Sequence, residues 1–224
     1  MTNTELENAS KIMFNNQEAE AIYLGNELLW SSVPYDAEIE YLESLGYQYI
    51  NTNIIGNGQY NFKIKFICNS LGSLTDGNSA TILGSRYSYS SRAFQLSTYR
   101  SGCFGYGYNA NLYMNLGIDS TNTEYIVEKH DNKLYINNIE VLTITNISYE
   151  TPNTLLLFAL YQNSNVVEKF IGRIYYFILY DINNNIIMNL IPVRKDGVGY
   201  MYDKVSKQLF SNQGTGDFIL GPDK

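Results

Sequence analysis

The chain has 224 residues, 45% of them apolar and 17% charged, with a formal net charge of −7. That apolar share excludes wholesale disorder and suits one domain of about 200 residues, alone or with a small appendage; no apolar run approaches the ~20 residues of a membrane-spanning helix. With 22 acidic against 15 basic residues there is no basic stripe for a phosphate backbone, so nucleic acid is not an expected partner and neither is membrane insertion.

The remaining composition points to strands and turns. There are 21 Tyr and 27 Asn; Tyr and Ile favour strands, whereas Asn and Gly favour turns. Residues 1–10 are polar and suit a short helix or an arm. Within 11–30, three short apolar runs (12–14, 21–24 and 27–30) are separated by Asn and Gly turn signals, which predicts a small β-meander. Some twenty residues cannot bury enough surface to stand alone, so residues 1–32 are expected to be an attachment and assembly element. Its contact residues would be Phe14, Ile22, Tyr23, Leu24, Leu28 and Trp30. Residues 33–37, with Pro34, read as a linker, and 38–224 as the main domain.

From Glu38 onward nearly every segment has strand character. Tyr60, Phe62, Ile64 and Phe66 fall on one face of a strand with polar residues between them, the period of a half-buried antiparallel strand. Further strands are predicted at 38–42, 47–50, 81–83, 93–96, 104–108 and 124–128. Lys133–Ile136 and Val141–Ile144 flank Asn137-Asn138, a hairpin turn signal. Two apolar stretches, Leu155–Tyr161 and Ile174–Tyr180, read as central strands covered on both faces. Many short strands at regular spacing predict an all-β, two-sheet antiparallel jelly-roll sandwich. Met1 is followed by Thr-Asn-Thr-Glu, without the basic and apolar segments of a secretory signal. Cys68 and Cys103 are therefore expected to be buried free thiols in a chain folded in a cytoplasm.

Chemistry-bearing patterns are few. The carboxylate alternation Asp36-Ala37-Glu38-Ile39-Glu40 lies at the linker junction, not on a central strand where a glycosidase pair would flank its bond. His130 is the one histidine, at a predicted strand end, which leaves no Cys–His or Ser–His device and no zinc cluster. Asp181-Ile182-Asn183-Asn184-Asn185 begins like a calcium loop, yet Ile186 and Pro192 stand where Gly and Glu are needed. It reads instead as an Asn-rich turn. No catalytic residue, metal ligand or cofactor is predicted. The segment suited to binding is 86–113, rich in Tyr and Arg, with Arg86, Tyr87, Tyr89, Arg92, Tyr99 and Arg100 as the candidate ligand residues. Tyr offers a flat face with a hydroxyl, and Arg offers planar donors.

Several phrases carry a family resemblance. Glu40-Tyr41-Leu42-Glu43-Ser44-Leu45-Gly46 with Gln48-Tyr49-Ile50, Gly84-Ser85-Arg86 followed by Phe94, Gly172-Arg173-Ile174-Tyr175 with Tyr180-Asp181, Tyr202-Asp203-Lys204-Val205, and Ser211-Asn212-Gln213-Gly214-Thr215-Gly216 occur in this order. Together they resemble concanavalin A-like, laminin-G-like jelly-roll domains of gut bacteria and their tailed phages, over roughly residues 38–221. Residues 11–30 resemble a short β element recurrent in phage tail and fibre proteins. The resemblance implies a non-enzymatic structural protein of a tailed-phage virion, a head-fibre, decoration or tail-fibre subunit. The head fibre of a crAss-like phage is the narrower form of this expectation. Such a subunit would form a homo-oligomer, by family analogy a trimer, with other virion proteins as partners and host-surface glycan or protein as ligand. Calcium stays open, because some relatives of this fold hold it through other loops. The alternatives are a bacterial cell-surface or secreted lectin and a divergent glycosidase.

Overall fold

The computed structural model describes residues 12–14, 17–19, 21–24, 27–31, 33–74, 79–88, 91–107, 109, 111–145 and 147–224. Among them there is no helix. Two sheets form the body, as the strand periodicities predict. The longer runs Ile139–Thr143, Lys133–Ile136, Glu124–His130, Asn61–Cys68, Ile171–Tyr180, Ile186–Lys195, Val198–Asp203 and Gln208–Phe210 in spatial order. The shorter runs Asn111–Met114, Cys103–Gly107, Ser91–Ser97, Thr81–Ser88, Glu150–Leu157 and Ile50–Asn57. Neighbours along both paths are antiparallel. The fold is thus an all-β, two-sheet sandwich.

The alternating strand Asn61–Cys68 supplies the core of the long sheet with Phe62, Ile64 and Phe66. Across the gap Phe62 meets Phe94 and Phe104 of the short sheet, with ring centroids 5.6 and 6.0 Å away, and those two rings stand 5.8 Å apart. Each fully buried ring contributes about 2–3 kcal/mol of apolar transfer, and their edge-on contacts add to it. Cys68 and Cys103 are both buried and unpaired with each other; burial pushes their thiols up, to about 12 and about 11.

The predicted strand Leu155–Tyr161 is interrupted. Phe158 turns left-handed (φ 65°) and sends its ring against Phe218 at 4.9 Å. The chain then restarts as Leu160–Gln162, which pairs with Asn165–Val167 and lies parallel to Thr81–Ser88. Gly84 makes room for the Leu160 side chain, since a Cβ there would sit 2.9 Å from Leu160 Cδ1. The predicted turn at Asn137-Asn138 is present, with both residues at positive φ. The 12–31 region forms two separate hairpins, Met13–Phe14 with Gln17–Glu18 and Ala21–Leu24 with Glu27–Ser31, instead of one meander. Leu24 is 68% exposed and Ile22 half-buried; the side chains of Phe14, Tyr23, Leu28 and Trp30 lie outside the described residues.

Several of the recognisable phrases form polar clasps between distant segments. Gln48 accepts from Ser44 Oγ and Leu45 N, and its Nε2 donates to the carbonyls of Thr215 and Asp217 at 3.2 and 3.0 Å. Asn212 Oδ1 accepts from Tyr49 N and Gly214 N. Gly214 lies so near the backbone that a Cβ would approach the Tyr47 carbonyl to 2.0 Å, so no larger residue fits. Arg173 Nε donates to Glu43 at 2.6 Å while its guanidinium lies 4.5 Å from the Tyr41 ring centroid. Buried Asp203 accepts from the amides of Asn189, Val205 and Ser206, tying a strand to the turn that follows it.

Lys129 was not singled out by any sequence signal. It shares the inward face with Phe62 and Leu179, is 1% exposed, and donates from Nζ to the carbonyls of Tyr60 and Asp131. Desolvation pushes its pKa down to about 8, against the partial opposition of Asp131. Between pH 8 and the unfolded value near 10.5 the unfolded chain binds more protons here, so this group's contribution to stability rises with pH. Urea unfolding of the natural chain and of Lys129→Met at pH 7.5 and 9.5 checks this, because other titrations cancel in the difference. The natural chain should gain about 2 kcal/mol relative to the variant over that interval. A pH-independent difference would show that the ammonium is not desolvated.

Candidate functional site

The Tyr/Arg segment expected to bind ligand divides into three separate places. Arg86 departs from a surface position: it is 3% exposed and joins a buried polar cluster with Gln162, its partner on the neighbouring Leu160–Gln162 strand. Its Nη1 donates to Gln95 Oε1 at 2.9 Å, and its Nη2 donates to Gln162 Oε1 at 2.7 Å and Glu168 Oε1 at 3.1 Å. The other carboxylate oxygen of Glu168 accepts from Ser79, Thr81 and Gln95 at 2.9–3.0 Å. Tyr87, 48% exposed, stacks with Arg92 at 5.6 Å from guanidinium carbon to ring centroid. Tyr99 pairs likewise with Arg100 at 5.2 Å. These two pairs stand at opposite ends of strand Ser91–Ser97, about 20 Å apart at the usual rise per residue. Tyr89 lies outside the described residues. The six candidates therefore do not converge on one surface.

A convergent surface exists on the outward face of the long sheet. The strand Ile171–Tyr180, expected to be covered on both faces, is covered only on one. Ile174, Phe177 and Leu179 enter the core, while Tyr175, Tyr176, Ile178 and Tyr180 face outward. A shift of register between Ile174 and Tyr176 places two successive tyrosines on the same side, a use of the β-bulge to re-aim a side chain. These four residues, with Lys63, Asn189, Ile191 and Lys224, line a hollow of about 380 Å³. Tyr175 is braced edge-on by Tyr41 at 5.5 Å and carries the Lys65 ammonium 4.9 Å from its ring centroid.

The lysines of this face are matched by acids on the neighbouring strand. Lys63 bonds Glu128 at 3.1 Å directly across the ladder, and Lys65 bonds Glu124 at 2.9 Å on the diagonal, two residues along it. The Glu128 hydrogen bond holds the Lys63 ammonium above its ordinary pKa, and burial raises that of the Tyr176 hydroxyl. The face thus offers tyrosine rings and hydroxyls, paired ions and the Asn189 amide. Such groups can stack on flat apolar surfaces and exchange hydrogen bonds, without a strong charge of either sign.

Other candidate chemistry resolves into structural roles. Asp181 accepts from Asn183 N, Asn185 N and Asn185 Nδ2, which closes the Asn-rich turn. Glu38 accepts from Tyr35 and pairs with Lys204, and Asp36 faces Arg194. His130 Nδ1 lies 3.1 Å from Asp131. Among the described residues no three His, Cys, Asp or Glu gather as metal ligands would.

The different placements predict different losses. Removing one member of a buried ion pair leaves the other charge uncompensated, so Arg86→Met or Glu168→Gln should cost about 3–5 kcal/mol. Joint replacement of Tyr87 and Arg92 by Ala should cost under about 1 kcal/mol, as for an exposed pair. Urea midpoints measure both; equal losses would mean that Arg86 is not buried as described.

No family model matches the chain, and no curated protein matches it. Among solved structures, the fold is similar to that of a protein from Bacteroides ovatus to which carbohydrate binding has been ascribed. The TM-score is 0.57 at 10% identity, covering 93% of this chain and 67% of that one. A weaker likeness, TM-score 0.39 at 11% identity, relates 68% of this chain to 90% of the CBM40 of the Ruminococcus gnavus IT-sialidase, too low to argue from. At such identities the first likeness establishes the two-sheet antiparallel sandwich and nothing finer.

Proposed function

We propose that this chain is a lectin-like, non-enzymatic glycan-binding protein, and that its sugar site is the hollow of Tyr175, Tyr176 and Tyr180. The observation that carries this reading is the half-buried tyrosine group held open on the outward face of the long sheet. Half-burial fixes each ring at little further entropic cost, while the exposed face and hydroxyl stay usable. Sugar rings present one apolar face and a rim of hydroxyls, which this pairing of aromatic planes with amide and ammonium donors suits. The carbohydrate binding ascribed to the Bacteroides ovatus protein of similar fold supports the same reading. The carboxylates near the hollow, Glu124 and Glu128, are each neutralised by a lysine, which suits recognition better than acid–base hydrolysis.

The setting we propose is a tailed-phage virion, with the chain as a head-fibre, decoration or tail-fibre subunit assembled as a homotrimer through residues 1–32. The ordered family phrases support it, together with the Ala21–Leu24/Glu27–Ser31 hairpin and its exposed Leu24. A bacterial cell-surface lectin is the second reading, favoured by the same site and by the Bacteroides ovatus likeness. Mass spectrometry of purified particles and of cell envelopes separates the two: the virion reading requires the chain in the particles and is lost if it fractionates with envelopes alone.

On a glycan array, Tyr176→Ala should weaken every retained sugar by tenfold or more, about 1.4 kcal/mol, with the thermal midpoint preserved within a few degrees. Undiminished binding by the variant would remove the site from this face.

A further inference from the structure

The tyrosine hollow is one end of a longer feature. A second hollow of about 210 Å³ is lined by Asn61, Glu128, Lys129, His130, Tyr180 and Asn184, and a third of about 330 Å³ by Ile126, Glu128, His130, Tyr135 and Asn138. Tyr180 lines both the first and the second hollow, and Glu128 with His130 lines both the second and the third. The three are therefore contiguous. Ladder register shows why: Tyr135 faces Glu128, Glu128 faces Lys63, Lys63 faces Ile178, and Ile178 faces Asn189. This row crosses five strands, a span of about 19 Å at the usual strand spacing.

Resting on the glycan-binding reading above, we infer that the outward face of the long sheet is a multi-subsite track for an extended, uncharged polysaccharide chain, entered at Tyr135 and passing between Tyr176 and Tyr180 to Asn189. Each pyranose ring of an extended chain advances about one strand spacing, ~5 Å, so the row accommodates about four rings. A pocket for a terminal sugar would instead be closed on several sides, and all three hollows open along the same surface. The chemistry fits an uncharged chain. Glu128 and Glu124 neutralise Lys63 and Lys65, His130 stands beside Asp131, the Lys129 ammonium is turned to backbone carbonyls at 1% exposure, and Lys224 adds an ammonium at the far end. A polyanion would meet the Glu128 carboxylate on the track and a molecule of net charge −7. Aromatic planes stand at separated points of the track: Tyr135 on its first strand, and Tyr180 and Tyr176 two residues to either side of Ile178 on its fourth, as a ligand with repeating stacking faces requires.

Calorimetric titration with cello-, manno- and xylo-oligosaccharides of one to six rings, and with oligogalacturonate of equal lengths, tests this. For at least one uncharged series, affinity should rise tenfold or more from one ring to four and then level off. Tyr135→Ala should weaken the tetrasaccharide about tenfold while leaving the disaccharide unchanged, and Tyr176→Ala should weaken both. Affinity independent of length, preference for oligogalacturonate, or failure of all three uncharged series overturns the track. If the glycan array still shows sugars lost on Tyr176→Ala, only the track has failed; if the array shows no bound glycan, the glycan-binding reading has failed with it.

Discussion

The arrangement of the short sheet depends on one buried ion pair. Arg86 and Glu168 come from distant parts of the chain and are almost wholly removed from solvent. Neither charge could be left there alone, since an unpaired buried ion costs several kcal/mol. Gln95, Gln162, Thr81 and Ser79 complete the hydrogen bonds of the pair. This fixes where the chain can go after Phe158. The Leu160–Gln162 strand must lie beside Ser85 and Arg86 of Thr81–Ser88, and Glu168, itself at positive φ, must turn its carboxylate back to Arg86.

The same physics recurs at the Gln48, Asn212, Glu43–Arg173 and Asp203 clasps. Each satisfies donors or acceptors that the two ladders leave over; the first three join segments far apart in sequence, and Asp203 ties a local hairpin to its turn. These clasps fall on the phrases that carry the family resemblance, so the phrases specify how the sandwich closes. They do not specify what it binds. Ligand recognition is assigned instead to residues outside the clasps, on the outward face of the long sheet, where Tyr135, Tyr176 and Tyr180 could change without disturbing the core.

Much of the fold is legible in the sequence where the period is local. Tyr60 to Phe66 alternates, and its strand and inward face follow directly. Asn137-Asn138 announces its turn because Asn tolerates positive φ. The break at Phe158 is not legible, because a phenylalanine at positive φ is held there by tertiary contacts with Phe170 and Phe218. Arg86 looks like a surface ligand residue until Glu168, 82 positions away, comes to meet it. The candidate site was hidden for a related reason. The apolar and aromatic run from Ile174 to Tyr180 has the composition of a strand covered on both faces, and only the bulge at Tyr175 turns its tyrosines outward.

The central claim is a division of labour: buried polar clasps close the sandwich, and the tyrosine-lined face of the long sheet binds. A crystal structure of the chain with a bound uncharged hexasaccharide tests it most directly. The account predicts density for consecutive sugar rings running from Tyr135 to the strand of Tyr176 and Tyr180, with the buried Arg86–Glu168 pair untouched. Density seated instead against the Tyr87–Arg92 or Tyr99–Arg100 pair, with the long sheet bare, would contradict it.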